Sequence, residues 1–149
     1  MFYTISEMAK KFDMSPSTLR YYDKEGLFPF LERSNGGIRM FSDEDIQWLV
    51  IIDCLKQTGM PIKGIKEFIN WCMEGDSTIK KRLNLIENQK NSVEKQIGDL
   101  KKMLHILEYK EWFYKTSEKL GTCNINNAPE LKNIPEEFRD IAHLVTDKI

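Results

Sequence analysis

The stretch Ser15-Pro16-Ser17-Thr18-Leu19-Arg20-Tyr21-Tyr22-Asp23-Lys24-Glu25-Gly26 decides how the rest of the chain reads. Ser15 is a helix-capping residue, because its hydroxyl can accept a backbone N–H of the first turn. Pro16 suits the first helical position, where a missing N–H costs nothing. Gly26 closes the run, since it can take the left-handed conformation in which helices end. Little more than two turns lie between them, short for an element that carries a core. On a helical projection Ser17, Arg20, Tyr21 and Lys24 share one side, spaced by three and four residues. Leu19, with part of Tyr22, is left to face inward. Hydroxyls, a guanidinium, a phenol and an ammonium shown outward suit a groove lined with phosphates and base edges. A solvated surface helix has the same pattern, and the flanking segments separate the two readings.

Upstream, Thr4-Ile5-Ser6-Glu7 is a capping box, with Thr at the cap and Glu three residues on. The helix it starts carries Ile5, Met8, Ala9 and Phe12 as an apolar stripe, and Asp13-Met14 turns directly into the capped second helix. Two short helices joined by a tight turn, the second polar on its outer side, form a helix-turn-helix. Downstream, Leu31-Glu32-Arg33 and Ile38-Arg39-Met40 flank Ser34-Asn35-Gly36-Gly37. An Asn-Gly pair between short runs predicts a two-residue hairpin turn, both of whose positions need positive φ. Arg33 and Arg39 beside a glycine tip let this hairpin lie against a phosphate backbone as a wing.

The run from Tyr3 to Met73 resembles the winged-helix DNA-binding domain of the MerR family of bacterial transcription regulators. The matching pieces are Thr4-Ile5-Ser6-Glu7-Met8-Ala9, then Thr18-Leu19-Arg20-Tyr21-Tyr22-Asp23-Lys24-Glu25-Gly26-Leu27. Gly37-Ile38-Arg39-Met40-Phe41-Ser42 and Thr58-Gly59-Met60-Pro61-Ile62 follow, in order and at the family's spacing, over about half the chain. The resemblance implies a homodimer that binds a pseudo-palindromic promoter in double-stranded DNA, distorts it, and so acts on RNA polymerase indirectly. It implies a DNA surface drawn from Thr4, Ser15, Ser17, Thr18, Arg20, Tyr21, Tyr22 and Lys24, with Arg33, Asn35 and Arg39 on the wing. Lys63 falls where the family places a second backbone-contacting wing, although a solvated lysine reads equally well.

Composition bounds the class. At 149 residues the chain is long enough for one modest core plus an elongated element. Hydrophobic and charged fractions of 41% and 30% are those of a soluble protein. No apolar run approaches the ~20 residues of a membrane span, and the N-terminus lacks a signal-peptide core, so the cytoplasm and no membrane partner are expected. Three cysteines without short paired spacing argue against a disulfide framework or a zinc module. The net charge of −1 is not that of a generic nucleic-acid binder. Within residues 1–41, Lys10, Lys11, Arg20, Lys24, Arg33 and Arg39 stand against Glu7, Asp13, Asp23, Glu25 and Glu32, leaving +1. Placement must then do what bulk charge does not, with the cations on the reading face and the acids turned away.

Ser42-Asp43-Glu44-Asp45 caps a third helix whose Ile46, Trp48, Leu49, Val50, Ile51, Ile52, Cys54 and Leu55 cover nearly its whole circumference. Such a helix must be covered on most sides. Gly59-Met60-Pro61 breaks it, and a fourth helix to about Met73 carries Ile62, Ile65, Phe68, Ile69 and Cys72 at helical spacing. Gly75-Asp76-Ser77 then caps a long helix. From Ile79 the apolar residues step by alternating four and three through Leu83, Ile86, Val93, Ile97, Leu100, Leu104, Leu107 and Tyr114, interrupted only by Lys90 and Glu111. This is a heptad seam over about 36 residues. A lone helix with so narrow a seam needs a partner helix. Dimerisation supplies one, and a two-fold dimer matches two half-sites on DNA. The heptads leave strand direction open; an antiparallel pair is what the resemblance implies.

Past Leu107 the helix turns aromatic, with Tyr109, Trp112, Phe113 and Tyr114. Gly121-Thr122-Cys123-Asn124 ends it, and Asn126-Asn127-Ala128-Pro129 is a loop. Pro135 to Val145 forms a short helix with Phe138, Ile141, Ala142 and Val145 on one side. So small a tail must dock or stay loose. The aromatic cluster, Trp112 above all, reads either as core or as the frame of a small-molecule pocket.

No catalytic constellation, phosphate cradle or cofactor motif appears, and His105 and His143 stand isolated, so no enzyme activity and no cofactor are expected. Metal-sensing relatives in the resembled family carry a cysteine pair near the end of the long helix; Cys123 is alone there, with Ser77 at the start, and no metal site is expected. Cys54 sits where a thiol-dependent, electrophile-sensing branch keeps its cysteine. It reads either as a reactive effector site or as a buried thiol, since burial in an apolar helix makes a thiol inert.

The expected fold is mainly α: a winged helix-turn-helix domain with a small β-hairpin wing over 1–75, a dimerising coiled-coil helix over 76–120, and a short tail over 121–149. The function that follows is a dimeric DNA-binding transcription regulator answering to a small-molecule or electrophile effector. A protein–protein adaptor built from the same modules is the alternative.

Overall fold

The computed structural model describes residues 1–145, the side chain of Val145 excepted. Thr4 is the hinge of the first segment. Its N–H donates to Glu7 Oε2 at 2.7 Å, and its hydroxyl accepts the Glu7 N–H at 3.3 Å, closing the capping box of α1, Ile5–Lys11. The preceding strand β1, Phe2–Thr4, pairs antiparallel with β2, Met40–Ser42, placing Tyr3 opposite Phe41. Helix α2 spans Pro16–Lys24, capped by Ser15, whose hydroxyl accepts the Thr18 N–H at 3.1 Å. The turn between the helices rests on Asp13 at φ 52°, the one non-glycine at positive φ among the described residues. Asp tolerates this conformation because its short polar side chain bonds locally. Gly26, at φ 79°, ends α2 while the Leu27 N–H returns to the Tyr22 carbonyl at 3.0 Å.

The wing is a short hairpin whose turn is longer than expected. Arg33 and Arg39 make an isolated antiparallel bridge, the Met40 N–H donates to the Glu32 carbonyl at 3.4 Å, and β2 pairs along its other edge with the N-terminal strand. Within the turn only Gly37 has a positive φ, 76°, and its N–H donates to the Ser34 carbonyl at 2.8 Å. The chain thus turns over Asn35-Gly36 and resets through a left-handed Gly37, a longer connection than the two-residue turn that Asn-Gly predicts. The reason is tertiary: Phe41 is fully buried, and pairing with Tyr3 holds it in the core.

Helix α3, Ile46–Gln57, begins after a reciprocal pair, Ser42 N–H to Asp45 Oδ2 at 2.7 Å and Asp45 N–H to Ser42 Oγ at 3.3 Å. Helix α4 spans Ile62–Glu74. Met8, Ala9, Leu19, Leu27, Phe28, Leu49, Ile52, Ile65 and Ile69 pack with Phe41 and Tyr22 into one core. The apolar circumference of α3 is only partly covered within the chain: Leu49, Ile52 and Leu55 are buried, but Val50 and Cys54 are exposed.

Helix α5, Ile79–Leu120, has 42 residues, longer than the heptads span. Two compact units divide the chain, Met1–Val93 and Glu94–Ile149. In the first, Leu85 and Ile86 pack on the head core, so this seam residue is half-buried in its own chain. Gln89 Nε2 donates to the Thr58 carbonyl at 3.1 Å, and Thr78, buried, donates to the Gly75 carbonyl at 2.8 Å. In the second unit the tail docks. Tyr109, Phe113 and Ser117 of α5 are buried, and Ala128 and Leu131 close on Phe113 beside Trp112 and Ile125. Phe138, just before α6, Arg139–Val145, stands edge-on to Tyr109 at 5.9 Å between ring centres. Tyr109 and Phe113 are therefore core, formed with the chain's own tail, while Trp112 is half-buried and Tyr114 stays 53% exposed. The tail takes a stripe of α5 other than the seam. Ile97, Leu100, Leu104 and Leu107 remain between 47 and 65% exposed.

His105 is not isolated. Its Nε2 lies 3.1 Å from Asp140 Oδ1 of α6, and its Nδ1 3.7 Å from Glu108. The hydrogen bond to Asp140 raises the His105 pKa above its ordinary 6.5, and the same bond lowers that of Asp140 below 3.8. A raised histidine stabilises the docked tail fully below pH 6.5 and loses that contribution as pH climbs through its raised value. The lowered carboxylate contributes fully above pH 3.8 and fails as pH falls through its depressed value. Tail docking is therefore expected to be tightest between these limits and to loosen toward alkaline pH. Trp112 emission in a Trp48→Phe/Trp71→Phe background should follow that titration, and His105→Phe should flatten it.

Candidate nucleic-acid interface

Helix α2 presents the surface that its spacing predicts. Ser17, Arg20, Tyr21 and Lys24 are exposed, while Leu19 is fully buried. Ser15 Oγ lies 2.7 Å from Ser17 Oγ and 2.8 Å from Thr18 Oγ1, so one hydroxyl cluster sits at the positive end of the helix. Tyr22 is the exception: at 5% exposure it belongs to the core, and desolvation raises its pKa. The hydroxyl of Thr4 is committed to Glu7, donating to Oε2 at 2.9 Å and accepting the Glu7 N–H. Thr4 acts here as a cap.

The wing carries Arg33 and Asn35 exposed. Arg39 is not a free cation. Its guanidinium forms an ion pair with Asp23 of α2 and donates to the Phe28 carbonyl at 3.3 Å. Asp23 is thus not turned away, contrary to the expectation from charge placement; it ties the wing to the helix. No local signal marks this pair, since the two residues are distant in sequence and the loop conformation brings them together. Other acids are spent locally, Asp43 on the amino terminus at 2.6 Å and on the Tyr3 hydroxyl at 3.0 Å, Asp45 on Ser42. Both hydrogen bonds hold the Asp43 carboxyl below its usual range, the bond from the amino terminus most strongly. Lys63, near the start of α4, is exposed.

Arg39→Ala is expected to lower the stability of the head by about 1–3 kcal/mol, because it leaves a three-quarters-buried Asp23 carboxylate unpaired. Arg33→Ala, on an exposed side chain, is expected to stay within about 0.5 kcal/mol of the parent. Paired thermal melts check this; equal midpoints for the two variants contradict it.

The effector candidates occupy different units. Cys54 is exposed on α3, against the buried alternative that its apolar helix left open. The reason is that the core takes Leu49, Ile52 and Leu55, leaving Val50 and Cys54 on the opposite stripe. Trp112 lines an open groove of about 640 Å³ together with His105, Glu108, Lys115 and Phe138. Among the described residues no group of three His, Cys, Asp or Glu side chains is placed to hold a metal ion, and no helix is long and apolar enough to cross a membrane.

Comparison with known proteins gives the same picture. Residues 3–70 match the family described as MerR HTH family regulatory protein. An uncharacterized HTH-type transcriptional regulator of Haemophilus influenzae is 47% identical over 131 residues, 88% of this chain and 97% of its own. The HTH-type transcriptional regulator AdhR of Bacillus subtilis is 36% identical over 86 residues, 58% of this chain and 61% of its own. The crystal structure of HiNmlR, a MerR family regulator lacking the sensor domain and bound to promoter DNA, superposes with a TM-score of 0.77 at 48% identity. That match covers 83% of this chain and 98% of HiNmlR. With a capped helix-turn-helix, a pinned wing and a Haemophilus influenzae relative matched over nearly its whole length, this chain belongs to the MerR family of helix-turn-helix transcription regulators.

Proposed function

We propose that the chain is a transcription regulator that binds promoter DNA as a homodimer and acts on RNA polymerase indirectly, by distorting the duplex. The observation that carries this reading is the exposed α2 face of Ser17, Arg20, Tyr21 and Lys24 on a buried Leu19 anchor, beside an exposed Arg33. Such a face offers fork-shaped and hydroxyl donors to base edges and phosphates. HiNmlR, similar over most of the chain, is bound to promoter DNA. In this reading residues 1–75 are the reading head, 76–120 the dimerising helix and 121–149 the tail. The exposed seam of α5 supports the second copy, because so much apolar surface on one stripe calls for a partner.

The test is a mobility shift with the promoter region of the chain's own operon across a salt series. Arg20, Lys24, Arg33 and Lys63 from two protomers give an expected slope of log K against log salt near −7, from ~0.9 per phosphate neutralised. A duplex ignored at low ionic strength overturns the reading.

The effector we propose is an electrophile acting at Cys54. Its exposure supports this, since a thiol must be reachable to react. Cys54→Ala is expected to abolish the response of promoter transcription to an alkylating aldehyde while leaving DNA affinity unchanged. A variant that still responds makes the thiol a packing residue only.

A further inference from the structure

We propose that Asn35 is a self-modification site, whose conversion to aspartate or isoaspartate places a carboxylate on the wing and weakens its hold on promoter DNA. The chemistry stands on the wing alone; its consequence rests on the DNA reading above.

Asn35 is the one asparagine of the chain followed by glycine. In that pair the Gly36 amide nitrogen, on losing its proton to hydroxide, attacks Asn35 Cγ. The carboxamide nitrogen leaves as ammonia and a five-membered succinimide closes. Water then opens the ring at either carbonyl, giving aspartate or, through the side-chain link, isoaspartate. One water enters and one ammonia leaves, with no oxidant, reductant or second enzyme.

Ring closure asks for an exposed carboxamide, an amide N–H free of other bonds and no side chain on the attacking residue. The wing meets all three. Asn35 and Gly36 are exposed. The N–H groups of Ser34 and Gly37 donate to the Ile38 and Ser34 carbonyls at 2.8 Å, and that of Ile38 to Ser34 Oγ at 3.2 Å. The Gly36 N–H donates to no group among the described residues. Nor does the turn demand a glycine there: Gly37 carries the positive φ, and a Cβ at Gly36 would meet nothing closer than Ser34 Oγ at 3.8 Å. The other asparagines lie within α4 and α5, whose backbone is held by helix hydrogen bonds, or precede a residue with a Cβ.

The new charge matters because of what else the wing shows. Arg39 is neutralised by Asp23, so the exposed charges here are Arg33 and Glu32, already balanced. A carboxylate at position 35 leaves them net negative, on a loop that the DNA reading sets against phosphates. Isoaspartate adds one carbon to the backbone as well, in the middle of the turn. The reverse step needs concentrated ammonia, so the change runs one way and acts as an ageing switch.

The test incubates the full chain at mildly alkaline pH and follows two readouts. Trypsin, cutting after Arg33 and Arg39, releases Ser34–Arg39, whose mass reports carboxamide or acid. Mobility shifts on the promoter region of the chain's own operon, across a salt series, report affinity. The peptide is expected to convert on ageing, faster at higher pH because the Gly36 nitrogen must lose a proton. The aged chain should bind about tenfold more weakly at low salt, with the loss shrinking as salt rises. Fresh Asn35→Asp should show that loss at once. Gly36→Ala should bind like the parent when fresh and keep both mass and affinity on ageing, because its methyl group fits the turn and hinders ring closure. An aged Ser34–Arg39 peptide of unchanged mass overturns the modification. A converted peptide with affinity intact, a loss equal at all salt concentrations, or an aged Gly36→Ala chain that weakens as much overturns the consequence for DNA while the DNA reading stands. A fresh parent that ignores the duplex at low ionic strength overturns the DNA reading and that consequence with it, and the peptide mass still decides the chemistry.

Discussion

Arg20→Ala is expected to weaken binding to the promoter duplex by about 10–100-fold while leaving the head folded and the oligomeric state unchanged. The size follows from what a guanidinium does in a major groove: a bidentate contact to one base is worth about 1–3 kcal/mol of discrimination, and charge-assisted bonds to phosphate add to it. The specificity of the effect follows from the fold. Arg20 stands exposed on α2, and the burial that holds the helix is carried by Leu19 and Tyr22 on the other side. Removing an exposed side chain should move stability by no more than about 0.5 kcal/mol. Leu19→Ala is the contrasting variant. It empties a fully buried site and should cost about 2–5 kcal/mol, losing binding through unfolding. Binding titrations read beside thermal melts separate the two. An Arg20→Ala protein that binds as tightly as the parent removes Arg20 from the reading surface.

Leu104→Glu should convert the chain to a monomer with a normally folded head. In the single chain Leu104 is 55% exposed, so the substitution costs the protomer almost nothing. In a zipper it drives a carboxylate into an apolar layer, twice. Desolvation without a partner costs several kcal/mol per charge, enough for a rise of 100-fold or more in dimer Kd. DNA affinity should then collapse toward that of one isolated head, because the second half-site is no longer held at a high effective concentration. Sedimentation gives the mass and the melting curve of the head gives the control. A Leu104→Glu protein that remains dimeric places the interface elsewhere. The outcome is independent of strand direction.

Much of the head was legible because it is built from local signals. The Thr4–Glu7 box, the Ser15 cap, Pro16 and the left-handed Gly26 each act within a few residues, and each stands in the structure where the spacing puts it. The same holds for the seam of α5, a periodicity that one continuous helix reproduces. Three features were not legible. Asn35-Gly36 signals a two-residue turn, but the burial of Phe41 and its pairing with Tyr3 decide where the strand lies. Whether Cys54 is buried or exposed is left open by its apolar helix; a helix has only so much face to give the core, and Leu49, Ile52 and Leu55 take it. His105 looks alone because Asp140 lies 35 positions away, and only docking of the tail joins them.

The division has one physical cause. Caps, turns and heptads are contests between neighbours a few bonds apart, settled by hydrogen bonds and φ/ψ before any fold exists, and on them the sequence alone determined the helices, the outward face of α2 and the unpartnered stripe of α5. The pairing of Arg39 with Asp23, the exposed thiol of Cys54 and the tail seated on Tyr109 and Phe113 arise between segments distant in the chain. Those depended on which apolar groups won the core, and only the tertiary structure decided them.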